Sequence, residues 1–542
     1  MLLIRPFKSA SLLPAILFFS LFISVGVASL IVLLLFQGGV SVWFESLSNT
    51  YIWRVLRFSL WQAFLSSVIS MGIAIPLTSA LMHRRFLGRD LLLQLFSISL
   101  VVPTIVAILG IVIIYGRNGL LNTTLQFTGM TVEIPLYGLF GILLAHVFFN
   151  MPLMVRILLQ SYTLVPNGQW RLAYQLGFSR WSLFRWVEWP YMKKGLPGAF
   201  VLVFMLCFSS FSVVLSLGGG PKASTLEVAI YQALRYEFDI PKASMLALLQ
   251  VIVCSIIACF IYRFASPLRQ DLSLTKQHVY LIKDNALSKW LDGSILLLAL
   301  LILLPPFMAI FIPTFSVLFV ETLLEQATWN AVLVSMKIAV PSAMLSLVMA
   351  FSLAVISRFF ISRVDILQGR LTWVPSLLEH LGSITLMIPS LVMATGLFLL
   401  LHTFGLGFEL GYYIVVWVNA VMALPFVLRV LLPVLYQQEK RYHRLYVSLG
   451  IQGWNRFYLE WSLVRGAFSH ACAYALLLSL GDMGVVALFG SQGLVSLPLY
   501  LFQLIGSYRL EQGACIAVLL MFLCFLLFII CTRFIGGVRV KN

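Results

Sequence analysis

Met151-Pro152-Leu153-Met154-Val155-Arg156 is followed by Leu176-Gly177, its glycine 25 residues after the proline; later the chain runs Leu424-Pro425-Phe426-Val427-Leu428-Arg429 and then Leu449-Gly450, again 25 residues apart. A second pair of blocks likewise keeps its internal spacing. Val101-Val102-Pro103-Thr104 leads to Gly110 and Met387-Ile388-Pro389-Ser390 to Gly396, each glycine seven residues after its proline. Spacings held this closely at a period of about 270 residues identify an internal duplication, a common device in transporters.

The duplicated unit is built for lipid. Of 542 residues, 61% are hydrophobic and 10% charged, against the roughly 25% charge of an ordinary soluble domain. Apolar runs able to cross a hydrocarbon core, which takes about 20 helical residues, occur at twelve places. They include Leu13 to Phe36, Leu91 to Tyr115, Leu196 to Gly218, Leu381 to His402 and Phe468 to Phe489. Alternating strand patterning is absent from these runs, so helices satisfy the backbone and a barrel does not. The expected fold is an all-α integral membrane protein of about 12 transmembrane helices, arranged as two six-helix domains. An even number of spans separates equivalent points, so the repeats are parallel and related by an axis along the membrane normal. Residues 1–265 form the first domain, 266–289 a basic linker and 290–542 the second.

A net charge of +17 would suggest nucleic acid in a soluble protein, but here the cations fall between apolar spans. With the N-terminus inside, about 26 of the 36 Lys and Arg residues lie in cytoplasmic segments. Arg84, Arg85 and Arg89 share one such loop, and Arg358, Arg363 and Arg370 another. Both termini are therefore expected in the cytoplasm. The first span is too long for a signal-peptide core and reads as a retained helix. The seven cysteines never form C-x-x-C, which leaves disulfide and zinc readings without support.

Between the fourth and fifth spans of each repeat lies a polar loop. The first copy reads Gln169-Trp170-Arg171-Leu172-Ala173-Tyr174-Gln175-Leu176-Gly177-Phe178-Ser179-Arg180-Trp181 and continues through Val187 to Pro190. Gly177 suits the left-handed residue that ends a short helix, and Ser179 an N-cap for the next. Gly450, with Trp454 four residues on, repeats the corner. An interfacial amphipathic segment would explain one such loop. Duplication at equivalent places favours docking to a partner.

This loop resembles the E-A-A-x-x-x-G-x9-I-x-L-P signature of permease subunits of bacterial binding-protein-dependent ABC importers, through Ala173, Gly177, Val187 and Pro190. Arg171 stands where that family has Glu, Arg444 and Tyr446 take the equivalent places in the second copy, and Leu463 replaces the closing Pro. The family's glutamate contact to its ATPase therefore does not carry over. Blocks such as Leu215-Ser216-Leu217-Gly218-Gly219-Gly220-Pro221 and Gly481-Asp482-Met483-Gly484 are similar to the fused permeases of thiamine (thiamine pyrophosphate) importers. The resemblance implies a bacterial inner-membrane permease that docks two copies of a cytoplasmic ABC ATPase through Arg171, Ala173, Gly177, Trp181, Pro190, Arg444, Tyr446, Gly450 and Trp454. A periplasmic binding protein would deliver the ligand. Lipid surrounds the chain, and no nucleic-acid partner is expected.

No G-x-x-x-x-G-K-[ST] occurs, so ATP chemistry must come from another chain and no cofactor is expected in this one. H-E-x-x-H and G-x-S-x-G are absent too, which leaves a membrane protease or esterase without support. Within the bundle, Asp482 is the one carboxylate placed well inside a span, with Ser210 near its counterpart in the first repeat. Both are candidates for the translocation pathway; pairing with Lys337 would instead make Asp482 structural. His146 and Asn419 are expected to hydrogen-bond across helices. A ferric-iron importer permease remains an alternative ligand reading. A major-facilitator transporter is a more distant one, since Arg84-Arg85-Phe86-Leu87-Gly88-Arg89-Asp90 only partly matches that group's loop.

Overall fold

A computed structural model describes residues 13–36, 39, 48–99, 102–129, 134–264, 285–312, 317–361, 388–407, 409–451, 453–490 and 493–535. Every regular element among them is helical. Ten segments of the described residues are long and apolar enough to cross a membrane. Two further apolar helices, Leu13–Phe36 (α1) and Ser390–His402, occupy the remaining positions read from the sequence. The fold is all-α and multi-pass, with about twelve membrane helices.

In the first half, α2 (Thr50–His83) is followed by α3 (Arg89–Ser99), α4 (Thr104–Tyr115), α5 (Leu120–Phe127) and α6 (Leu139–Thr163). The span expected from Leu91 to Tyr115 is therefore two helices. Pro103, the N-cap of α4, has extended backbone and no amide hydrogen to continue a helix into it. Next come α7 (Asn167–Gln175), the short α8 (Arg180–Leu183) with a wide turn at Phe184–Glu188, and α9 (Trp189–Phe208). The fifth span is also broken: α9 stops before Ser209 and Ser210, and α10 (Phe211–Leu217) resumes it. The chain then turns back through α11 (Leu226–Gln232) before α12 (Ile240–Phe264).

The second half opens with α13 (Ala286–Phe311), α14 (Val317–Leu324) and α15 (Gln326–Ile361). It continues through α16 (Ser390–His402), α17 (Gly411–Ser448), α18 (Gly453–Gly481), α19 (Gly484–Phe489), α20 (Leu497–Gly506) and α21 (Leu510–Ile530). Residues 265–284, most of the expected linker, and residues 381–387 of the expected span before His402 lie outside the described residues, as do Arg363 and Arg370.

Two hydrogen bonds repeat the architecture. Ser59 Oγ of α2 accepts from the Leu226 amide at the start of α11 at 3.0 Å, and Ser335 Oγ of α15 accepts from the Leu497 amide at the start of α20 at 2.7 Å. Each returning segment is thus pinned by one serine on the second long helix of its half.

The first helices are exchanged. α1 packs on α15 and α16 of the second half, and α13 packs on α2 and α4 of the first. The repeated proline-to-glycine motif explains how. A β-carbon on Gly110 would overlap the Pro306 carbonyl of α13, and one on Gly396 the Ser29 carbonyl of α1. Absence of a side chain lets the crossing backbones touch.

Candidate functional site

α7 ends in a glycine corner. Gly177 has φ +64°, with its amide donating to Tyr174 O at 3.1 Å and the Phe178 amide donating to Ala173 O at 3.1 Å. Gly450 has φ +65°, and the amides of Gly450 and Ile451 donate to Val447 O and Tyr446 O at 3.2 and 2.9 Å. Both corners are the paired-bond C-terminal cap that a left-handed glycine permits. Ser179 Oγ then accepts from the Ser182 amide at 3.3 Å and starts α8.

The two corners present the same faces. Ala173 and its repeat counterpart Tyr446 point inward, 3% and 6% exposed. Arg171 and Arg444 point outward, accompanied by exposed Leu172, Tyr174 and Leu176 in one copy and Leu445, Val447 and Leu449 in the other. Trp181 is exposed and stacks on Phe184 at 5.8 Å, while Pro190 lies half-buried in the first turn of α9. Trp454 sits in the first turn of α18, its side chain outside the described residues. The corners differ in how they join the bundle. Pro166 separates α7 from α6, whereas Glu439 holds the corresponding place in α17, which runs unbroken to Ser448.

Under each corner is a buried ionic cluster that the sequence reading missed. Glu188, 0% exposed, accepts from Tyr162 Oη at 2.7 Å and Ser79 Oγ at 2.9 Å, meets His83 Nε2, and has Arg180 at 3.4 Å. Arg84 Nε donates to Asp292 Oδ2 at 2.8 Å, bringing in α13. In the second half Arg358 donates to both Glu460 oxygens at 2.6 and 3.0 Å and to Glu439 at 2.9 Å. Arg456 joins the same two carboxylates, and His443 meets Glu439 at 2.8 Å. Each cluster touches its corner. Trp170 of α7 stacks on Tyr162 at 6.2 Å, and the Arg456 guanidinium lies 5.1 Å from the Tyr446 ring centroid. Burial, with Glu460 close by, pushes the Tyr446 phenol above its ordinary pKa.

Helix course puts both clusters at one end of the bundle. A cavity of about 550 Å³ marks the other end, lined by Ile113 and Leu120 of the first half and by Ile312, Leu318 and Tyr508 of the second. Glu325, just before α15, meets Arg509 at 3.8 Å near that cavity, so Arg358, at the far end of α15, lies with the corners.

At the ends of α9 and α18 away from the corners, the two broken fifth spans meet. Asp482 and Met483 separate α18 from α19 as Ser209 and Ser210 separate α9 from α10. At the interval relating Gly177 to Gly450 the counterpart of Asp482 is Ser209, one residue before Ser210, which is the N-cap of α10. Phe211 lies 3.3 Å from where a Gly484 β-carbon would stand, and the Gly481 site is 3.5 Å from Pro103. Asp482 faces the amides of Gly484 and Val485. It forms no ion pair with Lys337 among the described residues; Lys337 is exposed, and its carbonyl accepts from Tyr412 Oη at 2.9 Å. A second interior carboxylate corrects the sequence reading: Glu227 on α11 is 2% exposed. It lies between the fifth and sixth spans, where Leu226 to Tyr231 are all buried. His146 and Asn419 do bond across helices, His146 Nδ1 with Ser66 Oγ at 2.9 Å and Asn419 Nδ2 donating to Ser479 Oγ at 3.2 Å.

Residues 72–270 match the family described as binding-protein-dependent transport system inner membrane component. The thiamine transport system permease protein of Salmonella typhimurium is 41% identical over 535 residues, covering 98% of each chain. That of Escherichia coli is 43% identical over 500 residues, 92% of this chain and 91% of the other. The Haemophilus influenzae protein of the same name is 39% identical over 498 residues, 91% and 90% of the two chains.

Proposed function

Since the chain belongs to the thiamine permease family of binding-protein-dependent transport systems, we propose that it is the membrane-spanning permease of an ATP-driven importer of thiamine or its phosphate esters. The observation that carries this reading is 41% identity sustained across 98% of both chains. The chain is a permease and not an enzyme; ATP hydrolysis belongs to separate ATPase subunits, and it needs no cofactor of its own.

Two ATPase copies dock at the two glycine corners, one each, from the cytoplasm. Arg171, Ala173, Gly177, Trp181, Pro190, Arg444, Tyr446, Gly450 and Trp454 form or brace the docking surfaces. The duplicated exposed faces beside Gly177 and Gly450 support this assignment. Movement of a docked ATPase reaches the membrane helices through the ionic clusters, because Trp170 leans on Tyr162 and Tyr446 on Arg456. From Glu188 the connection spreads to α2, α6 and α8, and from Arg358 to α17 and α18. A buried, hydrogen-bonded ion cluster resists being pulled apart, since an orphaned buried charge is costly. Each corner and its helices therefore move together. A periplasmic binding protein delivers ligand at the opposite end, and Asp482 with the Ser209–Ser210 break borders the path between the halves. Residues 1–265 and 290–542 are the two permease domains, joined by 266–289, in a bacterial inner membrane with both chain termini in the cytoplasm.

Proteoliposomes holding the chain, its ATPase and its binding protein should accumulate thiamine only when ATP is on the ATPase side. Uptake of ferric iron with none of thiamine would reject the ligand assignment.

A further inference from the structure

Between the two halves lie buried polar groups whose hydrogen bonding is incomplete among the described residues. Glu227 leads α11 into the interior, fixed there by the Leu226 amide bonded to Ser59. Its Oε1 accepts from Gln250 Nε2 of α12 at 3.2 Å, and Gln250, 0% exposed, has its own Oε1 without a hydrogen-bond partner among the described residues. Ser224 Oγ and Thr225 Oγ1, just before Glu227, are buried and likewise unpartnered among the described residues.

One turn along α11, the Tyr231 ring meets Phe211 edge-on at 5.2 Å, and Phe211 lies against Gly484 of the other half. Two residues before Gly484 stands Asp482, whose Oδ2 is buried with no hydrogen-bond partner among the described residues. Glu227 and Asp482, one from each half, are thus linked through Tyr231, Phe211 and Gly484. Neither makes an ion pair with Lys, Arg or His among the described residues, and those residues hold no group of three or more His, Cys, Asp or Glu suited to a metal ion.

Two interior carboxylates, an idle amide oxygen and two aromatic rings share one requirement: a positive charge spread over an organic framework. Carboxylates supply its counter-charge, and the faces of Phe211 and Tyr231 supply cation–π attraction in a medium that water does not screen. A compact metal ion would want more oxygen ligands and no aromatic neighbours. We propose that Glu227 and Asp482, with Gln250, Phe211 and Tyr231, form a transit site for a cationic aromatic ring between the two halves. This rests on the thiamine reading above, under which the occupant is the thiazolium ring.

The site is tested on the complete complex with thiamine as probe. Dicyclohexylcarbodiimide modifies protonated carboxyl groups in apolar surroundings, and mass spectrometry reads the extent at Glu227 and Asp482. With the unsubstituted complex arrested by vanadate, millimolar thiamine should slow modification of both residues several-fold; equal rates with and without thiamine overturn the site. In proteoliposomes, Glu227→Gln and Asp482→Asn should each lower thiamine uptake per ATP hydrolysed about tenfold while the complex still assembles. Parental uptake in both variants overturns the site but leaves the importer reading intact. Failure of the unsubstituted chain to carry thiamine defeats that reading instead. Should either variant not assemble, the carbodiimide result on the unsubstituted complex decides.

Discussion

Gly177 and Gly450 hold φ near +65°, and nothing among the described residues lies within 4 Å of the place a β-carbon would take at either. A side chain there meets no clash, so its cost is backbone strain alone, about 1 kcal/mol or somewhat more for a branched residue. Gly177→Val and Gly450→Val should accordingly leave the protein folded in the membrane while re-aiming the corner. ATPase binding, or uptake per ATP hydrolysed, should fall; wild-type values of both in the two variants would remove the corners from the coupling role. These glycines were legible because a left-handed helix end restricts residue type, and the restriction shows twice. Glu188 and Glu227 were not legible. A lone Glu outside the apolar spans reads as a solvated face, and the partners that bury Glu188 include positions 79 and 83, far away in sequence.

Among the elements, periodicity located helices well and their interruptions poorly. The run from Leu91 to Tyr115 is uniformly apolar, so hydropathy merges α3 with α4, and only Pro103 hints at the break. Likewise α11 was lost because seven residues fall short of any membrane-span pattern. Its burial comes from tertiary packing, which no local window contains. The ionic clusters tie these elements together, and their contribution can be measured. Glu188→Ala leaves Arg180, His83 and Tyr162 facing a void in place of a carboxylate. Breaking a buried, hydrogen-bonded charge cluster costs about 3 to 5 kcal/mol, with the lower end expected because Arg180 keeps some solvent contact. The thermal midpoint of the detergent-solubilised protein should drop clearly for Glu188→Ala and less for Glu188→Gln, which can still hydrogen-bond. An unchanged midpoint for Glu188→Ala would show that the cluster holds nothing together.

For the molecule as a whole, the duplication was readable from spacings, but the exchange of first helices was not, since sequence order says nothing about which neighbour a helix chooses. With α1 on the second half and α13 on the first, neither half closes its own core. Fragments divided in the linker should therefore be unstable alone yet copurify when made together; stable, separately purifiable fragments would contradict the exchanged packing. Orientation is the remaining whole-molecule question. Gly168 begins the first corner, beside the ionic cluster, whereas Gly219 follows α10 on the route into α11, and neither lies within a long apolar helix. Basic residues concentrate on the corner side, including Arg84, Arg85, Arg180 and Arg441, and a cytoplasmic excess of Lys and Arg orients membrane proteins. Single cysteines at Gly168 and Gly219, introduced after the seven native cysteines are replaced, separate the two possibilities. In intact cells an impermeant maleimide should label Gly219→Cys and spare Gly168→Cys until the inner membrane is opened. Labelling of Gly168→Cys from outside would invert the bundle, and would place the corners where no cytoplasmic ATPase could reach them.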